Sequence, residues 1–86
     1  MATVVLPRTL IALFTGAERH VGVDATTVAG ILEELDARWP GMRDRLRDDI
    51  GLRPHINVYV DGERAGLDAR VRPDSTVHVI PAISGG

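Results

Sequence analysis

The groups in this sequence best suited to chemistry stand at its end. The stretch "VIPAISGG" (79–86) runs from strand-like apolar residues through Pro81, Ala82, Ile83 and Ser84 to Gly85-Gly86. A carboxylate at such an end is a poor electrophile, because its charge repels nucleophiles and its oxygen is a bad leaving group. Converted to a mixed anhydride, most simply an acyl-adenylate, the same carbon can be attacked by sulfide, a persulfide or an amine. Glycine suits that chemistry: without a Cβ, the backbone enters a slot only as wide as a peptide, and φ is free to vary. By composition alone two final glycines arise in about 0.5% of chains, and small residues collect at frayed ends. Position makes the pair more informative, since Gly86 lies five residues beyond Pro81, a reach of at most ~17–18 Å when extended. The expectation is a compact domain over 1–81 and a flexible reactive tail over 82–86.

The rest of the chain offers less. It has no cysteine, and His20, His55 and His78 lack the close spacing of metal ligands, so no metal site is expected. All ten basic residues are arginine, which leaves no side-chain amine. A net charge of −2 and a pI near 5.8 give no basic footprint for nucleic acid. No apolar stretch approaches the roughly 20 residues that span a bilayer, and "MATVVLPRTL" lacks the features of a signal peptide. A cytoplasmic protein without membrane or nucleic-acid partners is expected. Arg43, Arg45 and Arg47, interleaved with Asp44, Asp48 and Asp49, read as a solvated face.

Several elements must position the tail. "TVVLP" (3–7) and the alternating "RHVGVDA" (19–25) read as two strands of a hairpin. Between them the apolar run Leu10 to Phe14 either extends the strand or folds into a tight connection, and periodicity leaves both open. Val28, Ile31, Leu32, Leu35 and Trp39 form one stripe of an amphipathic helix. Thr26 or Thr27 would cap it, and Pro40-Gly41 would end it. Met42, Leu46 and Ile50 suggest a further short helix. "HINVYVDGE" (55–63) reads as a strand running into an Asp61-Gly62 turn, "RAGLDARVRPDS" is irregular with room for a short edge strand, and "TVHVIP" (76–81) is the last strand. The order ββα, turn, ββ predicts an α+β roll of the β-grasp kind, a mixed sheet of four to five strands packed on one main helix. Tyr59, His78 and Ile80 fall on the side away from the helix, where they either form an exposed patch that docks a partner or merely cover the sheet.

The opening "TVVLP", the helix "TVAGILEELDARWPGM", the strand-turn "INVYVDGE" and the ending "DSTVHVIPAISGG" together resemble the MoaD/ThiS family of ubiquitin-like sulfur carriers over essentially the whole chain. "INVYVDGE" and "PAISGG" most resemble the branch that serves cysteine biosynthesis in actinobacteria. The resemblance implies a protein co-substrate and not an enzyme, itself binding no cofactor. A MoeB/ThiF-type partner similar to ubiquitin-activating enzymes would use ATP to adenylate Gly86, and a sulfur donor of the rhodanese-persulfide kind would convert it to a thiocarboxylate. A sulfur-accepting synthase would take the sulfur: a pyridoxal-phosphate cysteine synthase on the cysteine route, molybdopterin or thiazole synthase on others, with specialised metabolites as further acceptors. On the cysteine route a metallopeptidase would release the product. Gly85 and Gly86 are then the adenylation and thiocarboxylate site, and Tyr59, Ile80, Pro81, Ala82, Ile83 and Ser84 the partner-binding residues. Two rivals stand beside this reading: a protein modifier that forms amides through Gly86, and a passive β-grasp binding module.

Overall fold

A computed structural model of the chain describes residues 1–82. The elements are β1 (Ala2–Val5), α1 (Arg8–Ile11), β2 (His20–Val23), α2 (Val28–Arg38), α3 (Met42–Leu46), β3 (Ile56–Val60), β4 (Glu63–Ala65) and β5 (Thr76–Pro81). The five strands form one sheet in the order β2-β1-β5-β3-β4. β1 and β2 pair antiparallel, as do β3 with β4 and β3 with β5. β5 runs parallel to β1, with Val4 opposite Val77. This is the mixed sheet of the ubiquitin-like β-grasp fold.

The alternation read from the strands decides what the sheet buries. Val4, Val21, Val23, Ile56, Val58, Val77 and Val79 are all buried, each on the face turned to α2. Val28, Ile31, Leu32 and Leu35 of α2 meet them and are fully buried, while Trp39 packs half-buried at the edge of the core. The Thr27 side-chain oxygen accepts the Gly30 N–H at 3.0 Å and caps α2. The helix ends at Arg38, and Gly41 takes φ 97°, a conformation glycine adopts without steric cost. The Asp36 carboxylate then accepts the Gly41 and Arg43 N–H groups at 3.0 and 3.1 Å, which joins the end of α2 to the start of α3.

Two segments resolve differently from, or beyond, their sequence patterns. The Leu10–Phe14 run takes the second of its two readings, a tight connection, and builds it on a helical turn: Pro7, with no N–H to give the sheet, stands at the N-terminus of α1, and Leu10 enters the core. Ile50 does not continue the stripe of Met42 and Leu46; it is 97% exposed. The reason is Asp48, whose carboxylate accepts the Ile50 and Gly51 N–H groups at 2.9 and 3.0 Å. This local turn competes with helix propagation, and Leu52 packs against the core in Ile50's place. The irregular stretch does contain an edge strand, β4, reached through a turn with φ 50° at Asp61 and 87° at Gly62.

No helix among the described residues is long and apolar enough to cross a membrane. Of the tail expected over 82–86, only Ala82 is described; Ile83, Ser84, Gly85 and Gly86 lie outside the described residues.

Candidate functional site

The root of the tail is fixed by the middle of the sheet. β5 lies between β1 and β3, so its backbone is bonded on both sides, and its pairing with β3 continues to Pro81 opposite Ile56. One residue on, the Ala82 N–H donates to the His55 carbonyl oxygen at 2.6 Å. The ladder with β1 ends at His78, so from Val79 to Pro81 the strand is held by β3 and Ala82 by the His55 carbonyl. Four residues separate this anchored point from the end of the sequence.

Beside the root lies an apolar hollow walled by Leu10, Leu13, Ile56 and Pro81, with Arg45 and His55 at its rim. Leu13 is 56% exposed there. Sequence reading did not find this hollow, because it is assembled from α1, α3 and the ends of β3 and β5, and only the tertiary fold brings these together. The available signal was Leu13 itself, the large apolar member of the Leu10–Phe14 run left exposed after a helical turn buries Leu10.

The outer face of the sheet bears out the side chosen for Tyr59, His78 and Ile80. Tyr59 stands opposite His78, and Ile80 opposite Asn57. His78 and Ile80 are exposed, and Tyr59 is half-buried. Register adds residues the sequence did not suggest. Val5 pairs with both His20 and His78, and Tyr59 with Arg64, so His20, Val5, His78, Tyr59 and Arg64 form one row across all five strands. An outer row of this kind offers apolar area between polar groups.

Several charged residues pair with one another or with the backbone. Arg43 Nη1 lies 2.8 Å from Glu33 Oε1 and the guanidinium also faces Asp36 and Asp44, so its first partner is on α2 and not among the neighbouring aspartates. Arg47 Nε donates to the Asp48 backbone oxygen at 3.1 Å. These groups are partly exposed, and such pairs contribute little to stability. Asp61 is held more firmly: it accepts the Thr76 N–H at 2.9 Å and the hydroxyl of buried Ser75 at 2.8 Å, and these bonds keep its carboxyl below its ordinary pKa. Among the described residues no three His, Asp or Glu side chains are gathered to hold a metal, and His20, His55 and His78 are all exposed.

Comparison with known proteins fits this geometry. The model of the ThiS family matches residues 6–86. The sulfur carrier protein CysO of Mycobacterium tuberculosis is 29% identical, over 98% of this chain and 97% of that protein. A chain in the crystal structure of the Amycolatopsis orientalis BexX/CysO complex superposes with a TM-score of 0.88 at 34% identity, covering 100% of both chains. Small archaeal modifier protein 3 of Haloferax volcanii is 31% identical over 73% of each chain.

Proposed function

This chain belongs to the ThiS family, and from that membership we propose that it is a sulfur carrier, a protein co-substrate acted on by partner enzymes. In this reading a carboxylate oxygen of Gly86 attacks the α-phosphorus of ATP on an activating enzyme and pyrophosphate leaves. Sulfide then attacks the acyl carbon and AMP departs, leaving the thiocarboxylate. A persulfide would give an acyl disulfide, from which a second thiol frees the thiocarboxylate by forming a disulfide with the donor. The thiocarboxylate gives its sulfur to a biosynthetic acceptor. The observation that carries the reading is the pairing of β5 through Pro81 and of Ala82 with His55. It ties Ala82, four residues before Gly86, to the sheet, and the family match runs to residue 86.

The carrier's part in this chemistry is presentation, and no side chain of its own needs to act. The likeness to CysO proteins favours cysteine as the product, with a pyridoxal-phosphate synthase as acceptor and a metallopeptidase to free the product. Molybdopterin, thiamine and specialised sulfur metabolites are the other acceptors to test. The outer row around Tyr59 and Ile80, continuing into Pro81 and Ala82, is the surface on which a MoeB/ThiF-type enzyme would seat the carrier. ATP belongs to that enzyme. The setting is the cytoplasm.

A second reading has one observation in its favour, the relationship to a small archaeal modifier protein: the activated Gly86 would be passed to lysines of other proteins. Intact-mass measurement after co-expression with an activating enzyme separates the two. Exchange of one oxygen for sulfur marks a carrier, and higher-mass conjugates mark a modifier. A passive binding module would show neither change.

A further inference from the structure

Two hollows adjoin beside β4, the edge strand of the sheet. One lies between β4 and the segment before β5, and Arg64, Arg70 and Arg72 line it. The other lies between β4 and the segment before β3, where Arg53 and Arg64 stand beside Leu52, Ile56 and Val58. They share Arg64 and Ala65, so four arginines line one continuous band. Carboxylates are scarce along it. Among the described residues none lines the second hollow, and only Asp61 and Glu63 line the first. Both oxygens of Asp61 are already engaged, one by the Thr76 N–H and one by the Ser75 hydroxyl. Arg43 is the arginine that ion pairs occupy, and among the described residues no such pair engages Arg53, Arg64, Arg70 or Arg72.

The backbone under each of these arginines is tied down. Arg64 stands opposite Tyr59 in the β3–β4 ladder. Arg70 bridges to Thr27, and the next residue, Val71, donates its N–H to the Thr26 carbonyl at 2.8 Å. The Arg72 N–H donates to Ser75 Oγ at 3.0 Å, and its carbonyl accepts the Ser75 N–H at 3.0 Å. The Arg53 N–H donates to the Leu46 carbonyl at 2.9 Å, and its Nε to the Asp44 carbonyl at 2.7 Å. Cations carried on a held backbone lose less freedom when a partner binds them.

We propose that the band along β4 is a docking surface for an extended, carboxylate-rich segment of a partner protein. The charge on the band calls for an anion, and guanidinium forks match carboxylates. Its length calls for a chain: alternate side chains of an extended peptide stand about 7 Å apart, so successive carboxylates can meet successive arginines and pass Glu63 by. A nucleic-acid backbone, charged at every step, meets Glu63 and a chain of net charge −2 with no such freedom. The proposal makes no use of the chain end and stands apart from the reading of Gly86.

The test is a titration of the isotope-labelled full chain at low salt, followed by amide chemical shifts. The probe is a synthetic peptide of alternating glutamate and serine, with its glutamine counterpart, a single-stranded oligouridylate and inorganic phosphate as comparisons. The glutamate peptide should give saturable shifts gathered at residues 53, 64–66 and 69–72, which fade as salt is added. The glutamine peptide should give none. Arg70→Gln combined with Arg72→Gln should weaken binding about fivefold, as the loss of two exposed ion pairs requires, whereas Arg8→Gln combined with Arg38→Gln should leave it unchanged. Melting curves check that both variants are folded. Shifts scattered over the whole surface, a Arg70/Arg72 variant that binds as wild type does, or oligouridylate or phosphate binding the band as tightly as the glutamate peptide would each overturn the proposal. None of these results bears on sulfur loading, which is read separately by mass.

Discussion

Asp61 shows how one carboxylate ties the sheet together near the strand that carries the tail. It sits at φ 50° in the β3–β4 turn and reaches across to the Thr76 N–H and the Ser75 hydroxyl, fixing the start of β5. Its carboxyl is lowered from the ordinary 3.8, first by the Thr76 backbone bond and then by the Ser75 hydroxyl; Asp48 is lowered likewise by the Gly51 and Ile50 N–H groups. A carboxyl depressed in the folded state adds stability above its ordinary pKa and loses it as pH falls through the lowered value. Acid should therefore destabilise the domain below about pH 4, and Asp61→Asn should flatten that part of the melting-temperature profile. Ser75→Ala removes a buried hydroxyl and should cost about 1–2 kcal/mol, a fall of roughly 4–8 °C per kcal/mol in a domain of this size. At the other end of the chain, Gly86→Ala adds a methyl beside the reacting carbon. Sulfur loading should drop by roughly tenfold to a hundredfold with the melting temperature unchanged. The Gly85-Gly86 reading lies outside the described residues. The Asp61-Gly62 turn was legible, because it is written in adjacent residues. The partnership of Asp61 with Ser75 and Thr76 was not, since it joins positions 14 and 15 residues apart that only strand pairing brings together.

Helix α2 is the element that makes β5 a core strand, since its stripe covers Val77 and Val79. Leu35→Ala deletes a fully buried side chain and should destabilise by about 2–5 kcal/mol, which equilibrium denaturation measures. Thr27→Ala removes the oxygen that accepts the Gly30 N–H and should cost about 1 kcal/mol. This helix was readable almost to the residue, because its 3.6-residue period runs unbroken and both ends carry stop signals. Its neighbours were less so, for reasons of length. Five apolar residues from Leu10 to Phe14 are too few for a period to decide between strand and helix, and Pro7 settled the matter by leaving the sheet. For α3 the apolar spacing pointed one turn too far, because Asp48 satisfies the next N–H groups outside the helix.

At the scale of the molecule, β5 holds the central place between β1 and β3, and the parallel pairing of β1 with β5 puts Ala2 and Pro81 toward opposite ends of the sheet. The main helix, its place after the first two strands and a sheet of four to five strands were foreseeable from the sequence, whereas α1 was not. Strand order and register were not, and they are what gather Val5, His20 and Arg64 beside Tyr59 and His78. The outer row is the proposed seat of the activating enzyme, so Ile80→Glu should raise KM for the carrier at least tenfold, a loss of about 1.4 kcal/mol in binding, while the fold stays intact because Ile80 is 44% exposed. Steady-state adenylation assays across carrier concentrations read this directly. The central claim concerns Gly86, and intact mass spectrometry tests it: the purified chain is incubated with a matched activating enzyme, ATP and a sulfide or persulfide source. The account predicts a species in which one oxygen is replaced by sulfur, absent without ATP and absent when Gly85 and Gly86 are deleted. A chain whose mass never changes with ATP, or a sulfur gain that survives the deletion, would contradict it.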